Sequence, residues 1–229
     1  MRYTVLIEEM EGRWLAHVLS LPGCFISADD RYAVQEQIPS SMRRYLGWRR
    51  SHGDTSITLD EPIEIEIDES IREWPDPADP DYIVNAFFAA DVLPLTAPEI
   101  PRLRKLFEWS RADLLASFEG LSHEEMSRPI EGEWSIAGIL NHTGRAESWY
   151  LDRLDLAPPR TEESQDWRGR LDRARRQLLD VLPQLDGVAR TVVKNSETWS
   201  PRKMIRRALW HERDHTQHIL QFRAKLRTP

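Results

Sequence analysis

The chain is 229 residues long, 40% hydrophobic and 30% charged, with nine Trp and a formal net charge of −7. That apolar and aromatic content excludes a disordered chain. No apolar run approaches the roughly 20 residues of a membrane span, and the single cysteine, Cys24, excludes an internal disulfide and any multi-cysteine metal site.

At about 100–150 residues per domain, the length favours two domains over one. The charge is divided between them unevenly. Residues 1–98 carry 8 Arg or Lys against 18 Asp or Glu, whereas residues 99–229 carry 23 against 20. Phosphates need cations, so the acidic first part is a poor nucleic-acid surface. Neither nucleic acid nor membrane is expected as a partner. The acidic part suits a basic protein partner, or simply solubility. The N-terminus, Met1-Arg2-Tyr3-Thr4-Val5-Leu6-Ile7-Glu8-Glu9, turns acidic too early for a signal peptide, which makes a cytoplasmic location the expectation.

Residues 1–70 read as a small α/β domain of three to four strands and one helix. Tyr3, Val5 and Ile7 alternate with Thr4, Leu6 and Glu8 as a first strand. Glu11-Gly12 makes a turn, and Trp14-Leu15-Ala16-His17-Val18 returns as a second strand. Pro22-Gly23 is a turn dipeptide ahead of a short third strand, Cys24-Phe25-Ile26-Ser27. Asp29 or Asp30 caps a helix that runs to about Arg50, interrupted or kinked at Pro39. Ile63-Glu64-Ile65-Glu66-Ile67-Asp68 alternates strictly, which turns its Ile residues to a core and its carboxylates to water. This order, with Leu21-Pro22-Gly23-Cys24 before the third strand, resembles the HicB-like antitoxin domain over roughly residues 1–70. Ala28-Asp29-Asp30 and Val34-Gln35 stand where that family usually has Gly-Asp-Thr and Glu-Ala.

Residues 71–100 hold Pro75, Pro77, Pro80, Pro94 and Pro98 and read as a stiff, extended linker, with Tyr82 to Phe88 as one more strand. From residue 101 to 229 the period is helical. Leu103, Leu106, Phe107, Leu114 and Phe118 form one stripe, and Ser122-His123-Glu124-Glu125 has the form of a capping box. Ser135 caps a helix carrying Ile136, Ile139, Leu140, Ala146, Trp149 and Leu151. Thr161 or Ser164 opens a third, with Trp167, Leu171, Ala174, Leu178 and Val181 on one face. Ser200-Pro201 starts the fourth. The expected fold is α+β: the small N-terminal domain followed by a four-helix bundle.

The last helix carries the chemistry. Its seam runs Met204, Ala208, His211, His215, His218, Phe222, so three histidines occupy positions where a bundle would place Leu or Ile. Buried imidazoles need partners for their nitrogens, and one divalent ion supplies them together. His211 and His215 lie one turn apart, roughly 6 Å along the axis, a spacing that two side chains can close onto one ion. His215 with His218 is the alternative pair. His142, on the stripe of Ile139, Ala146 and Trp149, is the natural third ligand. Three imidazoles with no fourth protein ligand leave coordination positions open, as in a catalytic site.

At these residues the chain looks like the DinB-like, YfiT-like metalloprotein family. The resemblance rests on Trp134-Ser135-Ile136-Ala137-Gly138-Ile139-Leu140-Asn141-His142 and on Trp210-His211-Glu212-Arg213-Asp214-His215-Thr216-Gln217-His218-Ile219. Glu108-Trp109-Ser110-Arg111-Ala112-Asp113-Leu114-Leu115 adds a less specific third segment, and together they span about residues 100–225. The resemblance implies a bundle holding a divalent ion, Zn or Ni, through His142, His211 and His215, with His218 a neighbour. It also implies a metal-dependent enzyme that uses a low-molecular-weight thiol cosubstrate, such as an S-transferase or isomerase acting on a small molecule. Glu147 and Glu212 are the candidate general bases or partners to the histidines. The other function class is a non-catalytic metal or ligand sensor whose HicB-like domain binds a protein partner. A homodimer is compatible with either.

Overall fold

The computed structural model describes residues 2–57, 62–129, 134–157 and 166–226. The chain divides into two compact units. One holds Met1–Leu93 with Val193–Trp199, and the other holds Pro94–Val192 with Ser200–Pro229.

In the first unit, β1 (Arg2–Met10), β2 (Arg13–Val18) and β3 (Phe25–Ala28) precede α1 (Arg31–Ser51) and β4 (Glu64–Ile71). The sheet order is β3-β2-β1-β4. β1 pairs antiparallel with β2, Val5 opposite Val18, and parallel with β4, Tyr3 opposite Ile65. Glu11 and Gly12 link β1 to β2 with φ of 55° and 74°, the positive pair that a two-residue hairpin requires. Asp30 caps α1 by accepting from the Ala33 amide at 2.9 Å. The helix continues past Pro39 rather than stopping there. Its face of Val34, Ile38, Met42, Tyr45 and Leu46 is buried against Val5, Ile7, Ala16 and Val18, and that packing outweighs the one backbone bond that proline removes.

Successive β1 side chains point to opposite faces. The face away from α1 holds Leu6 with Ala86 and Phe88, and Leu19, Ile71 and Ala90 pack against them. Glu8 and His17, both buried, meet at 2.7 Å on adjacent strands. Ile63, just before β4, and Ile65 on it pack on the core as expected, but Ile67 is 39% exposed. The pairing with β1 shifts directly after the Val5–Ile67 pair, and this edge strand then leaves the alternation.

The expected linker is folded. β5 (Trp74–Asp76) and β6 (Asp79–Val84) form an antiparallel hairpin. Asp76 Oδ1 closes its turn by accepting from the Ala78 amide at 2.9 Å. The strand expected over residues 82–88 therefore starts earlier and ends at Val84. In a two-stranded sheet a proline can sit with its missing N–H on the outer side, which is why this Pro-rich stretch still pairs. A further hairpin, β7 (Val192–Lys194) and β8 (Glu197–Trp199), turns through Asn195 and Ser196 at φ of 53° and 56°. Ser196 Oγ donates to Asp76 Oδ1 at 2.8 Å, and the Tyr82 hydroxyl donates to the buried Glu197 carboxylate.

The second unit is built on α2 (Glu99–Ser117), α4 (Ile136–Arg153), α5 (Trp167–Val181) and α6 (Pro201–Leu226), with the short α3 (His123–Ser127) between the first two. Ser122 and Glu125 form the expected capping box, and Ser135 accepts from the Gly138 amide at 3.1 Å. Thr161 and Ser164 lie outside the described residues; Asp166 caps α5 by accepting from the Arg168 amide at 3.2 Å. Ser200 Oγ accepts from the Lys203 amide at 3.1 Å. Leu114, Ile136, Ile139, Leu140, Leu171, Ile219 and Phe222 share one core.

Side-chain ties give the helix directions. Arg202 donates to Glu99 at 2.8 and 3.1 Å, and Arg223 donates to the Ser117 carbonyl at 3.0 Å, so α2 and α6 start and end together. Arg104 donates to the Leu179 carbonyl at 2.8 Å and Arg111 to that of Leu171 at 2.8 Å, so α5 runs against α2. Asn141 pairs with Arg170 and Glu147 with Arg175, so α4 runs with α5.

Two predictions follow from these contacts. A Cβ on Gly144 would meet the Leu171 amide nitrogen at 3.1 Å and the Arg170 carbonyl carbon at 3.3 Å, both backbone atoms of α5. Gly144→Ala should therefore destabilise by about 1 kcal/mol despite the helix-propensity gain, and Gly144→Val by more, in urea unfolding.

Glu99 supplies the other. Burial favours its protonated form, but hydrogen bonds from Arg202 and Thr96 and the Arg202 charge outweigh it and hold the carboxyl at about 2. A carboxyl depressed from 4.5 to about 2 contributes stability in full above pH 4.5 and loses it as pH falls toward 2. Glu99→Gln should flatten that acid-side loss, with the pH dependence above 4.5 unchanged, in urea unfolding at stepped pH.

Candidate metal centre

Three imidazoles converge between α4 and α6. His142 projects from α4, and His211 and His215 project one turn apart from α6. His142 Nε2 lies 2.9 Å from His211 Nε2, which lies 3.1 Å from His215 Nε2. One ligand atom from each falls within 4.8 Å of the others. Nitrogens bound tetrahedrally at about 2.0–2.1 Å from one ion stand about 3.3 Å apart, so these fit a shared ion. A single Nε2–H on His211 can serve only one of its two close nitrogen neighbours, whereas a cation serves all three lone pairs.

The surroundings place these rings firmly. Trp134, 53% exposed, packs edge-on to His142 with centroids 4.7 Å apart. The buried Tyr150 ring meets His211 edge-on at 5.9 Å. His218 stacks on His215 at 6.3 Å, tilted by 23°, and touches Phe222 at 4.9 Å. The structure thus brings together His142, His211 and His215 and leaves His218 alongside. Of the other histidines, His17 pairs with Glu8, His52 ends α1 and His123 opens α3.

Glu147 and Glu212 occupy a different environment from that of a general base. Both are buried, and both are held by Arg111 and Arg175. Arg111 Nη2 donates to Glu147 Oε2 at 2.8 Å, and Arg175 Nε donates to Glu147 Oε1 at 2.6 Å. Arg111 Nε and Arg175 Nη2 donate to Glu212 Oε2 at 2.9 and 2.7 Å. The remaining arms reach backbone: Arg111 Nη1 donates to the Leu171 carbonyl at 2.8 Å and Arg175 Nη1 to that of Phe107. Burial alone would push the Glu212 carboxyl up, but the two guanidiniums outweigh it and hold it below the usual carboxylate range. The same pairing raises Arg111 further above its ordinary value, against its own burial. Glu212, held this way, accepts a proton poorly, the reverse of what base catalysis needs.

Sequence reasoning did not find Arg111 and Arg175 as partners of these glutamates. Their one signal is that both sit on core-facing stretches of otherwise apolar stripes. Along α6, Arg207 is buried with its guanidinium 4.6 Å from the Trp210 ring, while Arg206 and Arg213 are half-buried. Trp210 is buried and Trp149 is covered by Arg153 at 4.7 Å. Cys24 is buried in the first unit. Among the described residues no helix is long and apolar enough to cross a membrane.

Residues 106–219 match the model of the DinB superfamily, just under half of the chain and nearly all of the helical unit's described core. YfiT from Bacillus subtilis, described as a probable metal-dependent hydrolase with an unusual four-helix bundle topology, is a structural neighbour. It aligns with a TM-score of 0.47 at 15% identity over 58% of this chain and 90% of its own. No curated protein matches the sequence.

The buried ion set yields a stability prediction. Arg175→Met leaves two buried carboxylates facing one guanidinium and should cost about 3–5 kcal/mol in urea unfolding.

Proposed function

We propose that the DinB-like unit holds one divalent ion, Zn or Ni, through His142, His211 and His215 and catalyses metal-dependent transfer or addition of a low-molecular-weight thiol. The observation that carries this is the convergence of three imidazole nitrogens from two helices. An ion held by neutral imidazoles keeps its full charge and lowers the pKa of a thiol or water bound at an open position. The chain's own residues supply the rest. His142, His211 and His215 present neutral nitrogens, and Tyr150 and Trp134 fix the rings of His211 and His142 from the side. Exposed Trp134 offers a flat apolar surface beside the site for a small-molecule substrate. Glu147 and Glu212 hold helices in place rather than moving protons. The β1-β2-β3-α1-β4 order supports reading the first unit as a HicB-like module that binds a protein partner.

The test begins with elemental analysis of the purified chain, which should give one metal per chain. His215→Ala should abolish occupancy and His218→Ala should preserve it; full occupancy in His215→Ala refutes the site. Millimolar bacillithiol, mycothiol or glutathione should then shift the visible spectrum of the cobalt-substituted protein. If no thiol does so and turnover of an electrophile panel never depends on metal, the thiol chemistry is wrong and the unit is a sensor.

A further inference from the structure

The four buried charges follow a division of labour. The two helices that bear the imidazoles, α4 and α6, each supply one carboxylate, Glu147 and Glu212. The two that bear none, α2 and α5, each supply one guanidinium, Arg111 and Arg175. Each guanidinium contacts both carboxylates, so α4 and α6 are bridged twice, in parallel. Two like-charged carboxylates in a dry interior would drive those helices apart without the bridges. The arms anchored on the Leu171 and Phe107 carbonyls leave each bridge no freedom to slide.

Glu212 adjoins His211 and precedes His215 by three residues. The rotation of α6 that seats Glu212 between two guanidiniums therefore also decides where both imidazoles point, since one residue of slippage turns a helix by about 100°. Glu147 fixes α4 in the same way, roughly 7.5 Å along the axis from His142.

We propose that Arg111, Glu147, Arg175 and Glu212 are positioning residues that preset the spacing and rotation of α4 and α6, so that His142, His211 and His215 meet before any ion arrives. This rests on the reading of those histidines as metal ligands. The set tunes how tightly and in what geometry the ion is held, as partners lying behind a first ring of ligands do elsewhere.

The test uses the full chain, stripped of metal and titrated with Co(II). Affinity is read by chelator competition and geometry by the d–d absorption. Arg111→Lys keeps the charge but loses the planar fork. It should weaken Co(II) binding about 10- to 100-fold and alter the d–d bands. His218→Ala should leave both unchanged. Glu147→Gln keeps the shape and removes one charge; it should weaken binding too, and it decides the matter if circular dichroism shows Arg111→Lys unfolded. A merely structural role would lower the melting temperature of these variants while the folded protein bound Co(II) with parental affinity and spectrum; that result overturns the proposal alone. A parent protein that binds no Co(II) overturns the metal reading and this proposal with it.

Discussion

Two guanidiniums and two carboxylates, one from each long helix, meet in the interior of the bundle with their charges summing to zero. A buried charge is tolerable only when it is paired with an opposite one. Each helix must therefore present one particular side chain at one particular height and rotation. Apolar packing is more forgiving, because a seam of Leu and Ile tolerates small shifts in phase. The core that includes Leu114, Ile139, Leu140, Leu171, Ile219 and Phe222 supplies apolar burial, and the ion set selects among the arrangements that burial alone would allow. The close passage of α4 past α5 at Gly144 belongs to the same geometry, only a turn from Glu147.

The imidazole cluster lies next to this dry, electrically balanced region and is only partly enclosed. His142 and His215 are half-buried, and Trp134 beside them faces water. Glu147 and Glu212, on the same helices as the imidazoles, are neutralised by arginines. A cation entering there meets three imidazole nitrogens. Such a donor set suits borderline metals that accept imidazole, and it suits hard oxygen-seeking cations poorly.

The first unit is organised differently. Its sheet is buried on both faces: one is covered by α1, and the other carries Leu6 among Ala86, Phe88 and Leu19, with the Glu8–His17 pair. Local backbone chemistry is visible throughout. Two hairpins turn on consecutive residues with positive φ, and Asp30 and Asp76 close a helix start and a turn with their side chains. The Tyr45 hydroxyl donates to the Pro22 carbonyl and so ties the middle of α1 to the Pro22-Gly23 turn.

Periodicity and capping chemistry are local properties, and the sequence by itself determined what depends on them. They place β1, β2, β3 and α1, the caps at Asp30, Ser122, Ser135 and Ser200, and the helical character after residue 100. They also place two histidines one turn apart where an apolar seam should continue, and a third on another helix. The β5–β6 hairpin was hidden by prolines whose cost depends on which side of a strand faces a neighbour, and the β7–β8 hairpin by strands too short to show alternation. Helix directions, with α2 beside α6 and α4 beside α5, were not legible, because an amphipathic stripe reads the same in either direction. Nor was the fate of Glu147 and Glu212, since a glutamate on a helix looks the same whether water or an arginine 101 residues or 28 residues away receives it. Those outcomes were decided by the tertiary structure, because only the assembled bundle brings charges from four separate helices into one dry place, where leaving any of them unpaired is too costly to persist.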